Sequence, residues 1–301
     1  MVVTAGKPEQ VVKFTSGMER KKVRVRLIAV LLVSAASCSS SSPGSQETFE
    51  SSSVQSTSIA ESSQAATPSA SLSFVGLGDS LPGAEGCGCT GYIDLYGKAA
   101  ASVLRTAVNV TNLATNDGVD SRQLLERIRS DERYRDALSS ADLISVQIGF
   151  NDWRVCNWPN DDACWDKGTA GVEQNLSAML DEIRTLRSRK PIALRVLTYP
   201  NMFIGALTSP QPPFLGDSAF QSFYAGQLDE LNAAICRAAE AKGATCVDLV
   251  TAFNGPAGDV APKGLIGPDN KHPTAAGHQL IAKTLDAAGY EPLVQHVATT
   301  G

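Results

Sequence analysis

The chain of 301 residues has no apolar run long enough for a membrane-spanning helix; its most apolar run, Leu27 to Val33, is seven residues. A helical span needs ~20. Histidine is scarce, with only His272, His278 and His296. Paired C-x-x-C units and zinc-type histidine spacings are both absent, which argues against a structural zinc site. No metal ligand set is therefore assigned. No internal repeat is visible. Beyond the first 37 residues there is also no basic stretch. Those residues hold seven of the 26 basic and two of the 31 acidic side chains, leaving 19 against 29, a net −10. An acidic domain of that kind is a poor nucleic-acid binder, and that class is set aside.

What is present begins with an export pattern. Met18 to Arg26 is a basic head, Leu27 to Val33 an apolar body, and Ser34 to Ser37 a run of small residues before Cys38. That order reads as a signal peptide over residues 1–37, with Met18 as a candidate start. The cysteine resembles a bacterial lipobox, although Ala35 stands where that motif usually carries Leu. The resemblance implies lipidation at Cys38 and a membrane anchor in the cell envelope; cleavage nearby with plain secretion is the alternative. Residues 38–70 are dominated by Ser, Thr, Gln, Ala, Gly and Pro. They bury too little apolar surface to offset their ordering entropy and read as a flexible tether. Residues 71–301 are then the catalytic domain, expected as a monomer.

Six cysteines remain after Cys38: Cys87, Cys89, Cys156, Cys164, Cys236 and Cys246. An even count in an exported chain points to disulfides. Cys156 with Cys164 and Cys236 with Cys246 would each close a short loop. Cys87 with Cys89 would be tight, and is the least certain pair.

From Ser71 onward, apolar runs alternate with amphipathic stretches. Leu72–Leu77, Ala107–Leu113, Leu143–Ile148, Ile192–Tyr199 and Ala244–Val250 read as strands, several apolar throughout as doubly covered strands are. Val172, Leu176, Met179, Leu180, Ile183 and Leu186 share one helix face, and Phe220, Tyr224, Leu228, Leu231 and Ile235 another. A third helix begins after Pro273, which suits the first helical position, and runs to about Ala288. Alternating strands and helices imply one α/β domain with a parallel sheet.

Ligands of such sheets bind beyond the carboxyl ends of the strands. Polar blocks sit at those ends: Gly78-Asp79-Ser80-Leu81, then Asn112 and Gly118, then Gly149-Phe150-Asn151-Asp152, and finally Asp269-Asn270-Lys271-His272. Each alone has an ordinary reading, as a strand-end turn, a loop glycine, an Asx-type turn or a structural histidine. Together they supply the parts of serine catalysis: hydroxyl, base, orienting carboxylate and oxyanion donors. His272 is the preferred base, because Pro273 keeps it extended at the helix entry, whereas His278 lies inside the helix and His296 in the tail. Asp269 can fold back on the same turn to reach its ring. Asp79 reads as a carboxylate that holds the loop. The G-x-S-x-G elbow of α/β-hydrolases is lacking around Ser80.

In this order the four blocks resemble the SGNH (GDSL) hydrolase family of esterases and lipases, from about residue 72 to 289. The separation of Asn112 and Gly118 is wider than that family usually shows. The resemblance implies a three-layer α/β/α sandwich with a flavodoxin-like five-stranded parallel sheet. It also implies a Ser80–His272–Asp269 triad, an oxyanion hole of Ser80, Gly118 and Asn151, and no cofactor. The substrate would be a small-molecule, lipid or glycan ester, hydrolysed through an acyl-enzyme. Two alternatives stay open: acyl transfer to glycan hydroxyls, and a non-catalytic surface lipoprotein that binds glycan or lipid. Trp153 and Trp158 follow the third block closely and are expected to wall the substrate pocket, with Phe203–Phe214 a second candidate wall; a disulfide-stapled surface loop is the alternative reading of the tryptophan segment.

Overall fold

The computed structural model describes residues 71–157, 161–188, 190–206 and 217–294. The signal segment, Cys38, the tether, Trp158, His296 and most of the second expected wall lie outside the described residues.

Five parallel strands form one sheet in the order β2-β1-β3-β4-β5: β1 Leu72–Gly78, β2 Val108–Asn112, β3 Leu143–Gln147, β4 Ala193–Leu197 and β5 Thr245–Val247. This is the flavodoxin-like order, in which the chain runs outward to β2 and then crosses back over β1 to β3. β3 and β4 are buried along their whole length, as near-continuous apolar strands should be. β2 alternates valine with polar residues and stays partly exposed at the edge.

Period-two alternation sorts the strand side chains into two cores. Phe74, Leu143, Ala193 and Leu197 pack under α1 (Tyr92–Leu104), α6 (Leu249–Asn254) and α7 (Ala275–Ala287). Val75, Leu77, Ile144, Val146, Leu194 and Val196 pack under α2 (Ser121–Ser130), α3 (Glu132–Ser140), α4 (Asp162–Leu186) and α5 (Ser218–Ala241). The result is the three-layer sandwich that the family resemblance implied.

Several boundaries differ from expectation for local reasons. The fifth run ends at Val247 because the Asp248 side chain accepts from Val250 N–H at 2.8 Å and starts α6. The last helix starts at Ala275, after Pro273 as expected. The Thr274 hydroxyl caps it by accepting from Gly277 N–H at 3.3 Å. Pro273 instead forms an antiparallel bridge with Ile266. The pattern from Val172 misses the first ten residues of α4, which start at Asp162. Disulfides join Cys87–Cys89, Cys156–Cys164 and Cys236–Cys246.

Candidate active site

The site is built where β1 and β3 end side by side. Gly78, the last residue of β1, has φ +142°, and a Cβ there would run into the carbonyl oxygen of Gln147 on β3. Only glycine allows that approach. The chain then breaks away and presents Ser80 on the following turn.

Asp79 points down instead. It is buried, its Oδ1 accepting from Leu81 N–H at 3.1 Å and its Oδ2 from the Tyr199 hydroxyl at 2.9 Å. Burial pushes its carboxyl up to about 6, against the pull of those hydrogen bonds and of His272. Beneath it, the Tyr92 hydroxyl donates to Gln147 Oε1 at 3.1 Å, and Gln147 Nε2 donates to Thr198 O at 3.0 Å. The serine turn therefore rests on a buried, hydrogen-bonded floor. The loop-holding role read for Asp79 fits this geometry.

His272 arrives from the opposite end of the chain. Its carbonyl accepts from Gly267 N–H at 2.8 Å, and Thr274 N–H donates to Leu265 O at 2.9 Å, so a short hairpin holds it extended. Its Nε2 lies 3.0 Å from Ser80 Oγ and its Nδ1 2.5 Å from Asp269 Oδ2. Asp269 Oδ1 also accepts from the N–H groups of Lys271 and His272 at 3.0 and 3.1 Å. Burial pushes the Asp269 carboxyl up, and the hydrogen bonds from His272 and Lys271 outweigh it, leaving it below its ordinary value. His278 is ruled out as a partner of Ser80. It is fully buried, its Nδ1 accepts from Tyr92 N–H at 3.3 Å, and burial lowers its pKa to about 4.

The donor side comes from two loops. Gly118 has φ +70°, a left-handed position that glycine adopts without strain. Among the described residues, the N–H groups of Ser80 and Gly118 have no hydrogen-bond acceptor. Asn151, in a 3-10 turn over Phe150–Trp153, donates from Nδ2 to Val119 O at 3.0 Å, which fixes its amide. Asp152 does not serve its own turn. It reaches α2, where its carboxylate accepts from Ser121 N–H at 2.9 Å and from the Ser121 hydroxyl at 2.6 Å. The Asx-turn reading is thus replaced by a clamp between the third block and α2. Asn112 ties the second loop to the first, donating to Pro82 O at 2.9 Å.

Ser80, Gly118, Asn151 and His272 all border one pocket of about 260 Å³. A neighbouring cleft of about 440 Å³ shares Phe150, Asn151 and Lys271 with it. Trp153 borders that cleft, although its indole is mostly buried and donates to Trp165 O and Thr169 Oγ1 at 3.1 and 3.2 Å. Trp165, Phe150 and Phe203 join it there, as do Phe220 and Tyr224, read from the sequence only as a helix face. Two more neighbours went unread. The Glu85 carboxylate lies 3.7 Å from His272 Nε2, and Lys271 sits at the junction of the two cavities.

Among the described residues, Cys87, Cys89 and His278 gather within 4.8 Å of one another. The two sulfurs are bonded to each other, which removes them as thiolate ligands.

Fold and site together define a carboxylic ester hydrolase: a parallel α/β/α sandwich with Ser, His and Asp hydrogen-bonded in series at the strand ends. Residues 77–280 match the GDSL-like lipase/acylhydrolase family, and the chain belongs to that family. Solved structures agree on the fold. A lipase from a goat rumen metagenome superposes with TM-score 0.61 at 21% identity, over 74% of this chain and 99% of that one. A variant of an acetyl xylan esterase from Geobacillus stearothermophilus gives 0.52 at 22%, over 73% and 95%. An extracellular lipase from Streptomyces rimosus gives 0.51 at 20%, over 72% and 99%. No curated protein matches the chain in sequence.

Proposed function

We propose that the chain is an exported serine esterase that cleaves carboxylic esters through an acyl-enzyme. The observation that carries this reading is the series Ser80 Oγ, His272 Nε2, His272 Nδ1 and Asp269 Oδ2, with links of 3.0 and 2.5 Å.

Ser80 Oγ attacks the ester carbonyl while His272 Nε2 takes its proton. Asp269 holds the ring and stabilises the imidazolium. The negative oxygen of the tetrahedral intermediate is met by the N–H groups of Ser80 and Gly118 and by the Asn151 amide. Loss of one such donor typically costs ~10²–10³ in rate. On collapse the C–O bond to the alcohol breaks, and the alcohol leaves with the proton from His272. Water repeats the cycle against the acyl-enzyme, which releases the acid and restores Ser80.

Ser80→Ala is expected to lower kcat for p-nitrophenyl esters by roughly 10⁴ or more. Wild-type turnover in a folded Ser80→Ala variant would contradict the role given to Ser80. The basic, apolar and small-residue order ahead of Cys38 supports export and a lipid anchor there.

A further inference from the structure

The cleft beside the Ser80 pocket carries charge of one sign. It is bordered by the rings of Phe150, Trp153, Trp165, Phe203, Phe220 and Tyr224, and the charged residues on its border are Arg154 and Lys271. No carboxylate borders it among the described residues. This stands out in a chain whose net charge beyond residue 37 is −10, from 19 basic and 29 acidic residues.

The two cations are also available. Arg154 spends one nitrogen on the carbonyl oxygen of Gly118, at 2.8 Å, which anchors it next to the donor loop. The rest of its guanidinium keeps further N–H donors. Lys271 is held at its backbone by Asp269. Neither side chain has a carboxylate partner among the described residues, and both are exposed. The Glu85 carboxylate borders the smaller pocket and not the cleft.

We propose that this cleft selects esters that carry an anionic group beside an apolar or aryl portion. The apolar portion lies against the rings and the anion meets Lys271 and Arg154. This inference rests on the hydrolase reading above and deepens it to a substrate class. Three physical points support it. Aromatic walls offer large, rigid apolar surface. A guanidinium fork matches carboxylate or phosphate oxygens. The acidic field of the rest of the domain is screened beyond ~8–10 Å at ordinary ionic strength, whereas contacts at hydrogen-bond range are not. The Glu85 carboxylate sets the direction, since an anion turned towards His272 would meet like charge.

An acidic aryl ester and a lysophospholipid share this chemistry, so the test uses one matched pair of each. kcat/KM is measured for para-acetoxybenzoate against its neutral methyl ester. Lauroyl lysophosphatidate is then measured against monolaurin, both below their micellar concentrations. At ~0.15 M salt, where the acidic field of the domain is screened, the anionic member of at least one pair is expected to win by about tenfold, mostly through KM. Lys271→Glu and Arg154→Glu should each reverse this advantage, with Lys271→Gln in between. The pair that shows it assigns the source of the anion. Equal turnover within both pairs, or an advantage that survives both charge reversals, overturns the inference while leaving the hydrolase reading intact. No turnover of any of the four esters, together with no labelling of Ser80 by a fluorophosphonate, overturns the hydrolase reading and this inference with it.

Discussion

Asp79 lies one residue from Ser80, yet it takes no part in the hydrogen-bonded series that ends on that serine. Its two oxygens are taken by the Leu81 N–H and the Tyr199 hydroxyl. Asp269, on the surface side, is the carboxylate that meets His272. Environment separates the two acids: burial lifts Asp79 to about 6, while Asp269 sits below its ordinary value. The stability consequence has a definite sign. A group whose folded pKa lies above its unfolded value favours folding below the unfolded value and loses that benefit as pH rises through the folded one. For Asp79 the window runs from 3.8 to about 6, and His278, lowered to about 4, works in the opposite direction over the same range. Asp79→Asn removes only the first contribution. Relative to wild type, the variant should therefore gain on the order of 2 kcal/mol between pH 4.5 and 7.5 in urea unfolding. A pH-independent difference between the two proteins would show that the carboxyl is not buried as described.

At the scale of elements, the site is an assembly of three loops that follow β1, β2 and β3 and one hairpin between α6 and α7. Thr115 N–H donates to Gly78 O at 3.2 Å, Asn112 holds Pro82, and Asp152 clamps the start of α2. A hairpin stabilised by the Ile266–Pro273 bridge carries His272. Much of this was legible in advance because the chemistry is local. β1, β3 and β4 are largely apolar runs, Ser80 and Asn151 stand in short blocks just after β1 and β3, and Asp269 and His272 share one short block between α6 and α7. What was not legible depends on the path of the backbone between blocks. Asp248 and Thr274 look like ordinary polar residues in sequence, and only their caps show where β5 stops and α7 begins. Helices α2 and α3 are short and largely polar, so periodicity did not separate them from loop. Glu85 comes within 3.7 Å of His272 because the turn after Ser80 folds back, and no spacing rule announces that. Phe220 and Tyr224 fit a core helix face; that the same face borders the cleft follows from how α5 packs against α4.

Over the whole molecule, the parallel order β2-β1-β3-β4-β5 puts the switch of chain direction at β1 and β3, and the candidate site lies there. The export proposed above would place the three disulfides in an oxidising compartment. In a bacterial host that processes lipoproteins, the full chain is expected to partition into the detergent phase of a Triton extract. Cys38→Ser should move it to the aqueous phase. Identical partitioning of the two would remove the anchor.

The central claim is that Ser80 is the nucleophile. Mass spectrometry of the protein after treatment with a fluorophosphonate tests it most directly. One covalent adduct per chain is expected, on the peptide that contains Ser80, and it should be lost in His272→Ala. An adduct on a different serine, or full ester turnover in a protein whose Ser80 stays unmodified, would contradict the claim.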